Sequence, residues 1–274
     1  MKWLSFVLAF TLVGCSVNTP SKSTAPKVTN IQNQSADKTE KLDSVEFKKE
    51  NKTTENFISV KQNEQTMKET KVKKQEKIIV DAPIIEQMPE LYNGCEIASV
   101  TMLLQHAGLK VNKFEVAKNT PRDDDPLVQT RSGDVLHWGN PNHGFVGSIT
   151  GKSQKGYGIY NKPLQELIEK YLPKRSVNLT GKSFEEIEQQ IQRGKPVVAL
   201  STTSFTPAKK WDTWKHKNER IKGTNELHAV LIVGFDSNSV YVNDPYTGEK
   251  ARKINKNSFI QSWDSLGKQA LSYR

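Results

Sequence analysis

The sequence predicts an α+β domain, and three observations carry that expectation. A stretch opening at Cys95 sets Ile97, Val100, Thr101 and Leu104 at helical spacing. Two other segments, Asn112-Lys113-Phe114-Glu115 and Ser183-Phe184-Glu185-Glu186, read as capping boxes that open helices. An apolar run from His228 to Phe235, a turn at Asp236-Ser237-Asn238 and a second run from Val240 to Asn243 read as an antiparallel hairpin.

The N-terminal part has a different character. Lys2 is followed by an apolar run over residues 3–13, too short to cross a bilayer as a helix, which takes about 20 residues. It has the length of a secretory h-region. Leu12-Val13-Gly14-Cys15 resembles a lipobox, which implies cleavage before Cys15 and lipidation, palmitate included, of that cysteine. Residues 16–77 are rich in Ser, Thr, Lys, Asn, Gln and Glu and lack apolar periodicity, apart from a weak helical pattern in 61–77. Such a segment buries too little surface to offset chain entropy. As a flexible coil it would reach on the order of 45 Å. The expected organisation is a signal peptide over 1–14, a lipidated N-terminus and disordered tether over 15–77, and a folded domain over 78–274. The expected location is the extracytoplasmic face of a cell membrane.

Composition narrows the partners. The 274 residues carry a net charge of +10, and only 35% are hydrophobic, against about 45–50% for globular chains when Gly is counted. The deficit falls in the N-terminal part. Lysines supply most of the charge and are scattered, without an arginine-rich helix, zinc-finger spacing or aromatic RNA-binding motif, so nucleic acid is not expected. Attraction to anionic lipid or cell-wall polymer suits a tethered basic protein better. A lysine-rich solvated surface is the plainest reading.

Along the domain, Gly108 is the expected stop of the Cys95 helix. Pro163 suits the first turn of a helix over 164–172. Gly194 ends the helix opened at Ser183, and residues 196–200 read as a strand. Residues 131–161, rich in Gly, Asn and His, read as a long ordered loop. Trp138 and His143 in it, and Trp211 and Trp214 beyond it, are candidates for a cleft wall or for ordinary loop packing.

The chemistry centres on one thiol. The chain has two cysteines. With Cys15 lipidated, Cys95 has no disulfide partner, which in an exported protein suits either a buried small hydrophobe or a reactive thiol. The first turn of a helix favours a thiolate, because unpaired N–H groups and the helix dipole lower the thiol pKa. The expected value lies toward the top of the about 3.5–7.5 range of such cysteines, since Glu96 beside it opposes the charge. A nucleophilic cysteine needs an imidazole base and a group that orients the imidazole. The hairpin sets His228 beside Asp244 as its orienting group; Asn243 is the fallback orienter, although strand alternation turns it to the opposite face. His137, His143 and His228 match no zinc spacing, so no metal site is expected.

Asn93-Gly94-Cys95 on a helix, Glu226-Leu227-His228-Ala229-Val230 on a strand and Asn243-Asp244-Pro245 after the next resemble the C39-type peptidases, and more narrowly their stand-alone, secreted or lipid-anchored C39-like branch. The likeness extends through residues 138–147 and 194–198 and covers 80–274. It implies a papain-like fold, an N-terminal helical part packed on a C-terminal antiparallel sheet, and no cofactor. It also implies an oxyanion hole made by Gln87 and the Cys95 backbone N–H, a kind of contact worth about 10²–10³ in rate. Two departures stand out: Gln87 lies further from the cysteine than the familiar papain-like spacing, and Glu96 replaces the glycine of the leader peptidases. The expected activity is hydrolysis of peptide bonds by Cys95, His228, Asp244 and Gln87 in a monomer acting on a peptide or protein substrate. The alternatives are amide or acyl transfer on cell-wall peptides, and a non-catalytic peptide-binding or adaptor lipoprotein that keeps the fold.

Overall fold

The computed structural model describes residues 76–152 and 154–274. The signal-peptide, lipidation and tether expectations for residues 1–75 lie outside the described residues.

The helices form where the sequence signals them. Helix α1 (Cys95–His106) is buried from Cys95 to Leu104, on all sides, as a helix through the middle of a core must be. Gly108, in the left-handed region at φ 94°, follows its end. Helix α2 (Lys113–Asn119) is capped by Asn112, whose side chain accepts from the N–H groups of Phe114 and Glu115 at 3.0 Å each; such caps contribute about 1 kcal/mol. Helix α3 (Asn161–Tyr171) begins slightly before the expected span and carries Pro163 in its first turn. Helix α4 (Phe184–Gln192) has the Ser183–Glu186 capping box, and Gly194 follows it at φ 72°. Helix α5 (Lys256–Ser265) is capped by Asn255, which accepts from Ser258 N–H.

The strands make one large and two small sheets. The large one runs β13 (Glu249–Asn255), β12 (Ser239–Asp244), β11 (Leu227–Phe235), β8 (Val197–Thr202), β14 (Ala270–Tyr273), β7 (Ser176–Asn178), with β1 (Ile78–Ile79) also paired to β11. Every pairing in it is antiparallel. A second sheet runs β10 (Glu219–Gly223), β9 (Asp212–His216), β4 (Val135–His137), β3 (Val128–Gln129). The third joins β2 (Arg122–Asp123), β5 (Phe145–Gly147) and β6 (Gly156–Gly158). Residues 131–161 are therefore not one loop. They hold three short strands that their Gly, Asn and His content conceals.

The large sheet is buried on both faces. Leu231 and Val233 of β11 join α1 and α3 residues such as Ile97, Leu103 and Leu164 in one core cluster. Val230 and Ile232, pointing the other way, join Ile187, Ile191, Phe259 and Trp263 of α4 and α5. This explains why β11 reads as a continuous apolar run. The expected α+β, papain-like arrangement is what the chain adopts, with α4 and α5 covering the second face of the sheet.

Candidate active site

Cys95 is the first residue of α1, directly after Gly94. Gly94 N–H donates to Leu91 O at 2.8 Å, and a Cβ at Gly94 would lie 2.6 Å from the Leu91 Cβ. Only glycine lets the chain turn this tightly into the helix. Cys95 is 8% exposed and packs with Leu200, Leu266 and Ala229, the residue after His228. Its sulfhydryl donates to Glu96 Oε2 at 3.3 Å.

His228 and Asp244 come together as the hairpin predicts. His228 Nε2 lies 2.8 Å from Asp244 Oδ1, with both side chains buried. Tyr246 N–H donates to the same oxygen at 3.0 Å, and Arg252 Nη1 donates to Asp244 Oδ2 at 2.7 Å. Burial works to raise the Asp244 pKa. The hydrogen bond and charge of His228, the Tyr246 N–H and Arg252 outweigh it and hold the carboxyl at about 2. Asp244 is thus a fixed anion, and Nδ1 is the His228 nitrogen it does not engage. Arg252 was not anticipated from the sequence. Its signal is register: β13 returns beside β12, opposite Val242, so a cation there reaches the carboxylate.

Asn243 points away from the pair. Its Nδ2 donates to Ala82 O and Pro83 O at 3.1 and 2.8 Å, and its Oδ1 accepts from Ala251 N–H at 2.9 Å. It holds the N-terminal strap and the irregular β12–β13 register in place.

Gln87 is buried between the two halves of the site. Its backbone N–H donates to Pro245 O at 2.9 Å, next to Asp244, and its Nε2 donates to Tyr92 O at 2.8 Å, three residues before Cys95. The extra chain length before the cysteine goes into the turn over 88–90, where the Met88–Pro89 bond is cis. Gln87 Oε1 is buried without a hydrogen-bond partner among the described residues. Leaving an acceptor so costs about 1–3 kcal/mol.

Glu96 is the feature the sequence announced but did not explain. It is 1% exposed, and its Oε1 accepts from Ile159 N–H at 3.2 Å. Gly158 makes room: a Cβ there would sit 2.3 Å from Oε1. Burial raises the Glu96 pKa to about 7 against the lowering effect of these N–H and S–H donors. The thiol expectation needs correction accordingly. Burial first, then the Glu96 charge, push the Cys95 thiol well above its ordinary value, although Ala229 N–H donates to the sulfur. Position in the first turn is outweighed because desolvation penalises a thiolate more than the dipole favours it.

A cleft of about 630 Å³ lies beside the site, bordered by Tyr92, Asn93, Trp138, Gly156, Asp212 and Asn225. Trp138 and Trp214 are largely buried, 6.2 Å apart, in a small apolar cluster with Val146 and Ile221. Their main part is packing, with Trp138 also touching the cleft. His137, His143 and His228 do not share a site: His228 is engaged with Asp244, whereas His137 and His143 face Asp125 and Asp123.

A cysteine leading a buried helix, with a His–Asp pair on an antiparallel sheet, is the plan of papain-like thiol enzymes, and comparison with known proteins agrees. Residues 79–271 match the Peptidase_C39 like family, and the chain belongs to that family. A Bacillus subtilis (strain 168) protein named YvpB, described as uncharacterized, is 38% identical over 194 residues, 70% of this chain and 74% of its own. A crystal structure of a provisionally assigned C39-like peptidase from Bacillus anthracis is 39% identical with a TM-score of 0.65, covering 73% of this chain and 98% of that one.

Proposed function

We propose that the protein is an exported, lipid-anchored thiol hydrolase that cleaves peptide bonds in a peptide or protein substrate. Membership of a peptidase family supports the class of reaction. The observation that carries the reading is the buried His228–Asp244 pair, with Cys95 packed against the neighbouring residue Ala229. In the proposed cycle the sulfur leaves Glu96 and passes its proton to His228 Nδ1. The thiolate attacks the scissile carbonyl, and imidazolium then protonates the leaving amine. Asp244 keeps the imidazole oriented and balances its charge. The second hydrogen of Gln87 Nε2 and the Cys95 backbone N–H donate to the oxyanion. Water, deprotonated by His228, releases the acyl group.

The test is digestion of a peptide library by the purified full chain. Cleavage by wild type, and its loss in Cys95→Ala and in His228→Ala, supports the reading. Binding of peptides without cleavage, equal in wild type and Cys95→Ala, would move the protein to a peptide-binding role. That role is the one a protonated thiol held by Glu96 would favour. The anchor rests on the Leu12-Val13-Gly14-Cys15 sequence. Cys15→Ser should release the protein from membranes, and an unchanged membrane fraction would remove the anchor from the proposal.

A further inference from the structure

A second cluster of ionisable side chains lies outside the catalytic residues. Asp123 ends β2, His143 sits in the turn before β5, and His216 ends β9, yet their ligand-type atoms all lie within 4.8 Å of one another. His216 Nε2 is 3.1 Å from Asp123 Oδ2 and 3.2 Å from Asp125 Oδ2. His143 Nδ1 is 3.5 Å from Asp123 Oδ2, and His137 Nε2 is 3.5 Å from Asp125 Oδ2. Three of the five histidines in the chain and two aspartates thus meet in one place.

His216 is the informative member. It is 1% exposed, and both ring nitrogens are buried without a hydrogen-bond partner among the described residues. The two carboxylates beside Nε2 are close but lack hydrogen-bond geometry. Native proteins seldom leave a buried ring so. Neutral imidazole would have one donor and one acceptor unsatisfied; imidazolium would have two donors. A metal ion at Nε2 leaves a single N–H, at Nδ1. The backbone also presents Asp123 deliberately. Asn140 N–H donates to its Oδ2 and Asp125 N–H to its Oδ1, each at 3.2 Å. A Cβ at Gly139 would meet Asp123 Oδ1 at 3.0 Å.

Two of the three ligand–ligand distances match those around a small cation, and the third is within 4.8 Å. Zinc ligands about 2.0–2.1 Å from the metal in a tetrahedron lie about 3.3 Å from each other. The 3.1 and 3.5 Å contacts around Asp123 Oδ2 bracket that edge. Imidazole and carboxylate together are donors that suit zinc, and two nearby aspartates neutralise a divalent charge. We propose that Asp123 Oδ2, His143 Nδ1 and His216 Nε2 bind a divalent transition-metal ion of the zinc type, with Asp125 and His137 at the rim. The ion fastens the β9–β10 hairpin to the 121–147 segment. The two are already linked by Trp214 Nε1 donating to Gly139 O and Asn140 Nδ2 donating to Glu219 Oε2. That hairpin contributes Asp212 to the wall of the cleft. The site is structural by this placement and does not depend on the peptidase reading.

The test is titration of the full chain with Zn²⁺ against a chromophoric chelator, together with melting in Zn²⁺ and in EDTA. Wild type should bind one zinc per chain, and so should Cys95→Ser, which separates this site from the thiol. Asp123→Asn, which keeps the side-chain shape, and His143→Ala, whose ring is half exposed, should each weaken binding by on the order of 100-fold, at or beyond the loss seen when a ligand's supporting partner is removed. Zinc should raise the wild-type Tm and raise that of His143→Ala less at the same zinc concentration. Failure of wild type to bind zinc, or equal binding by all variants, would overturn the proposal and leave a histidine–aspartate cluster with no metal in it.

Discussion

Cys95 and Glu96 share a proton-bearing contact, with the sulfhydryl 3.3 Å from Glu96 Oε2. The carboxylate raises the thiol pKa, second only to burial. Glu96→Gln removes that charge while keeping the side-chain size. The midpoint of iodoacetamide labelling against pH should therefore move down in this variant. Labelling is best followed in a Cys15→Ser background, where Cys95 is the only cysteine. An unchanged midpoint would mean that the sulfur does not sense Glu96.

Asp244 predicts an acid-sensitive site. Its folded pKa is about 2, below the ordinary 3.8. A depressed carboxyl contributes stability that is fully present above its unfolded value and lost as pH falls through the folded one. Between about pH 4 and pH 2, this group alone should withdraw about 2 kcal/mol. Urea unfolding across that window should show the loss in wild type and a smaller one in Asp244→Asn. Equal acid sensitivity in the two would place the effect on other carboxylates.

Gln87 predicts a split between kinetic constants. Should its amide bind the developing oxyanion, Gln87→Ala should lower kcat by about 10²–10³ and change KM little. Gln87→Glu keeps the shape but loses the amide donor, so it should not rescue. A change confined to KM would make Gln87 a structural link between Pro245 and Tyr92.

What the sequence made legible is local or periodic. The run from His228 and its partner strand, with Asp244 and Asn243 on opposite faces, follow from a period of two. The Cys95 helix follows from apolar spacing and its stops. The short strands in 131–161 escaped because two- or three-residue strands have no period to detect. Helix position and the neighbouring Glu96 are legible in the sequence and place the thiol pKa only slightly low. It turned on depth of burial, which the surrounding sheet and helices decide. The Asp123–His143–His216 cluster escaped for a related reason: its members come from three separate segments, and only β9, running beside β4 with Lys215 paired to His137, brings His216 to the others.

Gly158 tests whether the Glu96 pocket is built for that carboxylate. The residue has φ 136°, and its added Cβ would lie 2.3 Å from Glu96 Oε1. Gly181 is a control, with φ 76° and open space around its Cβ position. Gly181→Ala should cost about 1–2 kcal/mol, the backbone penalty alone. Gly158→Ala should cost more, because Glu96 must also give up its bond to Ile159 N–H. The excess should shrink in the double variant Gly158→Ala with Glu96→Ala, where the clashing carboxylate is gone. A coupling of at least about 0.5 kcal/mol from the double-mutant cycle, measured by urea unfolding, marks a direct contact. Strict additivity would mean that the backbone at Gly158 is constrained for a reason unrelated to Glu96, and that the carboxylate beside the cysteine is held by its bonds to Ile159 and Cys95 without help from the space at Gly158.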